Sequence, residues 1–360
     1  MKLTLPKLRV CGNAREMGIQ YGTHFRPMIR QFIDARMTAV AAYLDGIGTG
    51  AVDRLIAAGA ECLDRTSVFD PQGVDEHHGI ARGAQVDPVR LFTAANMTDV
   101  RDIIALPDAP PPAGDEGCTT ALLPGDMCAG GTSLFGQTWD LNGPDMDFVI
   151  ALHRMPTDGL ETWTATCAGC QTLMGMNAAG IAVGTNNLKT RFSRIGVPYL
   201  SVLHKALAQA SRQAASAVLQ SAPVAGAHSY WVGTQQGGIE WERTPVSAFE
   251  RDTADGPVAR TNHCLFTDNR EIEDALSEST IPRLERLTAL VDERKPHTLE
   301  TLKTMMGDRS EGRLSINRYA EDESGAVTNA VALFDPRQRV MSACRGQADR
   351  GEWVTLGFDR

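Results

Sequence analysis

No apolar stretch in this chain reaches the ~18 residues of a membrane span, and its opening, Met1-Lys2-Leu3-Thr4-Leu5-Pro6-Lys7-Leu8, lacks the continuous apolar core of a secretory signal. A soluble, cytoplasmic protein with no membrane partner is expected. There is no excess of positive charge either. Lys and Arg number 35 against 44 Asp and Glu, interspersed, for a formal net charge of -9. A phosphate-backbone binder needs a concentrated basic surface, so nucleic acid is excluded as the expected partner. No phosphate loop is present: Ala129-Gly130-Gly131-Thr132 lacks the lysine and reads as a hairpin turn. Cys167-Ala168-Gly169-Cys170 has zinc-knuckle spacing without a second Cys or His pair, and reads as two ordinary thiols on a turn. His77-His78 falls in a polar helical segment and reads as solvated. Neither a metal nor a cofactor is expected. Eight cysteines are scattered through 360 residues with none of the spacing of a small disulfide scaffold, so reduced thiols are expected.

What is present divides the chain in two. Apolar residues recur at helical intervals from Ala14 to about Tyr43, and further helices are predicted over 52–66, 74–85 and 88–104. The last opens with Asp87-Pro88, an N-cap aspartate followed by proline where its missing N–H costs nothing. A Pro-rich stretch over 107–112 closes this helical half. Beyond it, short β-branched and aromatic runs separated by glycine predict strands over 132–139, 147–154, 161–166, 171–176, 180–185, 229–235 and 238–243. Asn177-Ala178-Ala179-Gly180 and Gln235-Gln236-Gly237-Gly238 supply tight hairpin turns. Helices return over 198–221, 271–294 and 298–307, and strands close the chain over 326–335, 338–344 and 353–357. Strand and helix blocks are segregated, which favours layered α+β over a doubly wound parallel sheet.

The junction is Gly117-Cys118-Thr119-Thr120. A cysteine that attacks an acyl carbon needs a base, because a free thiol titrates near ~8.5. If the Gly117–Cys118 bond is cut, the α-amine of Cys118, with an ordinary pKa of roughly 7.7–8.0, lies beside its own sulfur. The cut can use the same thiol: attack on the Gly117 carbonyl, an acyl shift from nitrogen to sulfur, then hydrolysis of the thioester. Glycine at 117 lacks a Cβ that would obstruct that attack. The alternative reading of the dipeptide is a buried strand cysteine.

Read whole, the chain resembles the isopenicillin-N acyltransferase-like proteins, the cysteine branch of the N-terminal nucleophile hydrolases. The resemblance rests on ordered motifs: the glycine-punctuated run from Gly12 to Gly22, Gly79-Ile80-Ala81-Arg82-Gly83-Ala84, Gly117-Cys118-Thr119-Thr120, Gly136-Gln137-Thr138-Trp139-Asp140, Asn177-Ala178-Ala179-Gly180-Ile181-Ala182-Val183, Thr261-Asn262-His263-Cys264 and Ser315-Ile316-Asn317-Arg318. It implies a four-layer αββα sandwich. It also implies cleavage into residues 1–117 and 118–360, which stay associated as one structural unit.

Several site roles come with the resemblance. Cys118 is the nucleophile and Asn262 the oxyanion donor. Asp140 hydrogen-bonds the Cys118 ammonium or orients the precursor, and Arg318 holds Asp140 or a substrate carboxylate in bidentate geometry. His263 ranks below the α-amine as base. Glu242, in Ile239-Glu240-Trp241-Glu242, falls where the penicillin-forming enzymes carry a small hydroxyl residue. It is expected to bind substrate, disfavouring an anionic acyl acceptor and suiting a basic one. The implied activity is hydrolysis or transfer of an acyl group from a small amide or thioester through an acyl-Cys118 intermediate, with a possible amine acceptor. Hydrolysis of a small N-acyl or peptide-like amide is the preferred direction. The alternatives are an uncleaved, non-catalytic binding protein and a bile-acid-type amide hydrolase that removes only a short leader; the 117 residues before Cys118 argue against the second.

Overall fold

The computed structural model describes residues 3–46, 48, 52–105, 117–274, 276–293, 295–323 and 325–358. The Pro-rich stretch at 107–112 and the residues leading up to Gly117 lie outside the described residues. An edge strand that the sequence pattern did not predict comes first, β1 (Lys7–Gly12). The helical periodicity over 14–43 then forms two helices, α1 (Ala14–His24) and α2 (Arg26–Gly46). Pro27 lies in the first turn of α2, where its missing N–H is tolerated but a through-running helix is not. The chain continues through α3 (Val52–Phe69) and α4 (Pro71–Ala84), the latter capped by Asp70 and opened by Pro71. The helix predicted over 88–104 is also split, into α5 (Pro88–Ala95) and α6 (Met97–Ala105). Asn96 ends α5 with its carboxamide on the Phe92 carbonyl at 3.1 Å. That side chain offers the backbone an alternative to continuing the helix.

The glycine motifs of this region have a steric cause. A Cβ on Gly18 or Gly22 of α1 would stand 2.2 Å from the Glu76 carbonyl and 2.1 Å from the Ile80 carbonyl. On α4, Gly79 and Gly83 face the Arg15 and Ile19 carbonyls at 2.4 Å each. The two helices therefore meet backbone to backbone, a contact any side chain would wedge apart. Gly22→Ala is expected to cost at least about 1–3 kcal/mol, read as a lower urea midpoint at unchanged m-value. An unchanged midpoint would show that the helices separate without penalty.

The strands are β2 (Gly117–Leu123), β3 (Leu134–Leu141), β4 (Val149–Pro156), β5 (Thr162–Cys167), β6 (Met174–Asn177), β7 (Ala182–Leu188), β8 (Ala227–Thr234), β9 (Gly237–Thr244), β10 (Ser247–Asp252), β11 (Val258–Arg260), β12 (Val327–Asp335), β13 (Val340–Arg345) and β14 (Val354–Gly357). The predicted hairpins form: Gly180 (φ 78°) turns β6 into β7, and Gly237 (φ 144°) lies where β8 turns into β9. Between the strands lie α7 (Tyr199–Leu207), α8 (Arg212–Ser221), the short α9 (Thr267–Arg270), α10 (Thr280–Glu293) and α11 (Leu299–Met306). The segment predicted as one helix over 198–221 is broken between α7 and α8, where Ser211 caps the second helix.

These strands build two sheets. One has eight strands in the order β1-β4-β5-β6-β7-β8-β9-β10, the other six in the order β11-β2-β3-β12-β13-β14. All pairings are antiparallel except β1 with β4. α7 and α8 pack on the larger sheet, α10 and α11 on the smaller, and β2 faces β7 and β9 across the middle. This is the four-layer αββα sandwich that the resemblance implies. α1 to α6 extend the helical layer of the larger sheet, and one apolar core runs from Ile29, Phe32 and Leu91 through Ile150, Leu152 and Leu200. Between the sheets, Gln137 of β3 bonds both the Thr185 carbonyl (2.7 Å) and the Thr185 amide (3.1 Å) of β7. Gly184 makes room for it, since a Cβ there would lie 2.3 Å from the Gln137 oxygen. The sheets are thus locked in register beside the start of β2.

Among the described residues no helix is long and apolar enough to cross a membrane. All eight cysteines are free thiols. The Cys167–Cys170 turn is pinned by the buried Tyr21, whose hydroxyl bonds both cysteine carbonyls and receives the Gly169 amide at 2.7 Å. His77 corrects an expectation: it is buried against Phe92 and bonds the Pro88 carbonyl at 2.8 Å. Burial lowers its pKa to about 4.

Candidate functional site

β2 opens at the inner edge of the sandwich, with Gly117 opposite Asp140 and Cys118 opposite Trp139 on β3. This pairing fixes the Cys118 backbone at both ends. Its N–H donates to Asn262 Oδ1 at 2.7 Å. Its carbonyl accepts from Arg283 Nη1 at 2.7 Å and from Asn186 Nδ2 at 3.0 Å. The thiol is buried, which pushes it up to about 12; the Asp140 carboxylate adds to that rise, while backbone hydrogen bonds from Asp140 and Asn187 and the Arg283 charge oppose it. Such a thiol is inert until something removes its proton.

Asp140 is the carboxylate at hand. Burial raises its pKa above the usual aspartate value, against the pull of the Arg283 and Arg318 guanidiniums and the Thr328 and Thr138 hydroxyls. Thr328 donates to Asp140 Oδ1 at 2.8 Å, and its hydroxyl oxygen accepts the Arg318 amide, also at 2.8 Å. Arg318 is wholly buried on the far side of Gly117. A Cβ on Gly117 would lie 2.8 Å from Arg283 Nη2 and 3.3 Å from Arg318 Nη1. A side chain at 117 would therefore displace the two guanidiniums that converge on this residue.

The four residues singled out from sequence, Cys118, Asp140, Asn262 and Arg318, thus surround Gly117. Asn262 differs in its orientation. Its oxygen accepts from both Cys118 N–H and Arg283 Nη2 (3.0 Å), and its nitrogen donates to the Asn187 carbonyl at 2.9 Å. In this state its donor is engaged away from Cys118. The loop that carries it is held by Thr280, whose hydroxyl accepts the Asn262 amide at 2.9 Å. His263 turns to the same Thr280 hydroxyl at 3.0 Å. Burial and nearby arginines lower its pKa to about 4.

Glu242 requires a correction, because it does not line the cavity beside Cys118. It is fully buried in an ion pair with Arg260 at 2.7 Å. It accepts from the Leu265 amide (2.8 Å), the Phe266 amide (3.3 Å) and Asn269 Nδ2 (2.8 Å). Its carboxylate anchors the chain just after Asn262 and leaves nothing for a substrate.

Four contributors were not found from sequence. Arg283 reaches Cys118, Thr119 Oγ1 (2.9 Å) and Asn262 from α10. Asn186 reaches Cys118 and Thr120 across the sandwich from β7. Asp99 of α6 pairs with the buried His228 at 2.6 Å, and His228 lines the cavity together with Trp139, Leu173 and Tyr199. Asn186 lies just beyond the Asn177–Val183 motif, and no motif marks Arg283. The cavity itself is narrow, about 30 Å³, where one water needs roughly 10–15 Å³.

The family model described as acyl-coenzyme A:6-aminopenicillanic acid acyl-transferase matches residues 128–350. The 40 kDa form of acyl-coenzyme A:6-aminopenicillanic-acid-acyltransferase from Emericella nidulans is 28% identical over 275 residues, 74% of this chain and 72% of that protein. Among solved structures, a mutant conjugated bile acid hydrolase from Clostridium perfringens aligns at a TM-score of 0.40 and 12% identity, covering 68% of this chain and 97% of its own. Penicillin V acylase from Agrobacterium tumefaciens aligns at 0.43 and 9%, covering 67% and 86%. With more than half of its length matched by one family model, this chain belongs to the acyl-coenzyme A:6-aminopenicillanic acid acyl-transferase family.

Proposed function

We propose that this protein is a self-processing enzyme that moves acyl groups from small amides or thioesters through a thioester on Cys118. The observation that carries the reading is the clamping of the Cys118 backbone on both sides of its α-carbon: Asn262 holds the N–H of the Gly117–Cys118 peptide, and Arg283 and Asn186 hold the Cys118 carbonyl. Asp140 takes the thiol proton, and the sulfur attacks the Gly117 carbonyl carbon. The Gly117–Cys118 C–N bond breaks as nitrogen takes up a proton, which leaves Gly117 esterified to the sulfur. Water then hydrolyses this thioester, releasing the Gly117 carboxylate and the thiol beside the α-amine already freed.

Catalysis repeats this chemistry on a bound acyl donor. The Asn262 oxygen accepts one N–H of the new α-amine, turning its lone pair to the neighbouring thiol, so the amine serves as base. The acyl group passes to sulfur, the leaving amine or thiol departs, and water or an acceptor amine resolves the acyl enzyme. Gly117 forms one wall of the narrow cavity, so cutting after it frees that wall and gives the acyl group room. The site serves transfer or hydrolysis, according to how well water is excluded once donor and acceptor bind.

Intact mass tests the proposal. The active protein is expected as two polypeptides, 1–117 and 118–360, that co-purify. Cys118→Ala is expected as a single uncut chain. An active preparation containing only the full-length species would overturn self-processing and favour the alternative of an uncut binding protein if activity proved to be a contaminant's.

A further inference from the structure

A second cavity shares no lining residue with the one at Cys118. It measures about 200 Å³ and opens between the start of α1, α4, the end of α7 and the β4–β5 hairpin. At its floor lie Glu76 and Arg154, each with only 3% of its side chain exposed. Every arm of Arg154 has a protein partner: Nε donates to the two Glu76 oxygens (2.8 and 3.1 Å), Nη1 to Thr164 Oγ1 (3.0 Å) and Nη2 to the Gln171 carbonyl (3.1 Å). Glu76 is less well supplied. A carboxylate offers about four acceptor positions, yet among the described residues the single N–H of Arg154 Nε is the only hydrogen-bond donor to its oxygens. His204 Nε2 stands off at 3.7 Å, its Nδ1 turned to Thr172 Oγ1 at 3.1 Å. Thr162 sits directly across from Arg154 in the β4–β5 pairing, hence on the same face. It borders the cavity, and its buried hydroxyl has no partner among the described residues. Buried carboxylates and hydroxyls ordinarily find more donors than this.

We propose that this cavity binds a primary ammonium group carried on a short apolar body. The ammonium's three N–H donors answer the open Glu76 lone pairs, and Thr162 and His204 bound the same floor. Met17, Leu160 and Leu207 line the cavity for the apolar part. An anion fits poorly. The start of α1 is closed by its own capping box, with Asn13 Oδ1 on the Glu16 amide (3.0 Å) and the Glu16 carboxylate on the Asn13 amide (2.9 Å). The exposed Asp158 at the mouth adds a second negative charge. The inference rests on this geometry and is independent of the chemistry proposed for Cys118.

Calorimetric titration of the full protein with hexylamine, against hexanol and hexanoate as controls, tests it. Saturable binding of one hexylamine per chain is expected, with hexanol weaker by about tenfold or more, the loss of a charge-assisted hydrogen bond, and no saturable binding of hexanoate. Leu160→Trp, which fills the cavity from the hairpin, is expected to weaken hexylamine by a similar factor, and Thr162→Val to weaken it measurably. Absence of saturable hexylamine binding would overturn the proposal, as would hexanoate binding equally well. Unchanged affinity in Leu160→Trp would place the amine elsewhere, the Cys118 cavity included, and would also overturn it.

Discussion

Asp140→Asn is expected to leave the chain in one piece. Burial holds the Cys118 thiol near 12, so at pH 7 on the order of one molecule in 10⁵ carries a thiolate unaided. Self-cleavage therefore depends on a partner that takes the proton as sulfur attacks, and Asp140 is the carboxylate whose charge the thiol feels. Positioned general bases contribute about 10²–10⁴ in rate, and a loss of that size is expected from the isosteric amide. The pH dependence carries the same signature. Burial raises the Asp140 pKa, so below that raised value the carboxyl already holds a proton and cannot accept another. Wild-type processing should slow on acidification, beginning at a higher pH than an ordinary aspartate would give, whereas the residual rate of Asp140→Asn should lack that step. Cell-free synthesis followed by denaturing electrophoresis over time measures both. Wild-type cleavage rates in the amide variant would remove Asp140 from the proton path.

The fold was legible where a local rule governs it. Pro88 after Asp87, the hairpin glycines and the β-branched runs each act within a few residues, and their elements formed close to the expected positions. β1 escaped because it is a half-exposed edge strand paired in parallel with β4, more than 130 residues away in sequence. Its short Lys7-Leu8-Arg9-Val10 alternation has no adjacent turn and partner strand in sequence to mark it as half of a hairpin. The breaks at Phe25 and Asn96 escaped because apolar periodicity continued across them. Within the site, the motif residues Cys118, Asp140, Asn262 and Arg318 converge on Gly117, but Glu242 could not be placed from its neighbours. Its position on β9 gives no hint that the partner would be Arg260 of β11 and the loop that follows. Residue type alone does not distinguish a carboxylate that meets substrate from one that holds the loop carrying Asn262.

Arg283→Met is expected to have the other large effect, and it concerns a residue that no local pattern marks. In sequence Arg283 is one charge near the start of an amphipathic helix; in the fold it is completely buried. One arm reaches the Cys118 carbonyl and Thr119 Oγ1, the other Asn262 Oδ1, so a single planar group sets the spacing between nucleophile and amide clamp. A misplacement of about 1 Å at a reacting centre costs roughly 10² in rate, and slowing of self-cleavage by at least about that factor is expected. Arg283→Lys should recover only part of it, because an ammonium keeps the charge but not the fork. A purely structural role would also slow the reaction, so the discriminating readout is the acid limb of kcat/KM in the fraction that matures. A guanidinium beside the new α-amine disfavours the ammonium form and lowers its pKa, keeping the amine available as base at lower pH. Removing that charge in Arg283→Met raises the amine pKa, so the acid limb should move to higher pH, while Arg283→Lys should hold it near the wild-type position. An acid limb unmoved in the methionine variant would confine Arg283 to holding the backbone of Cys118 in place.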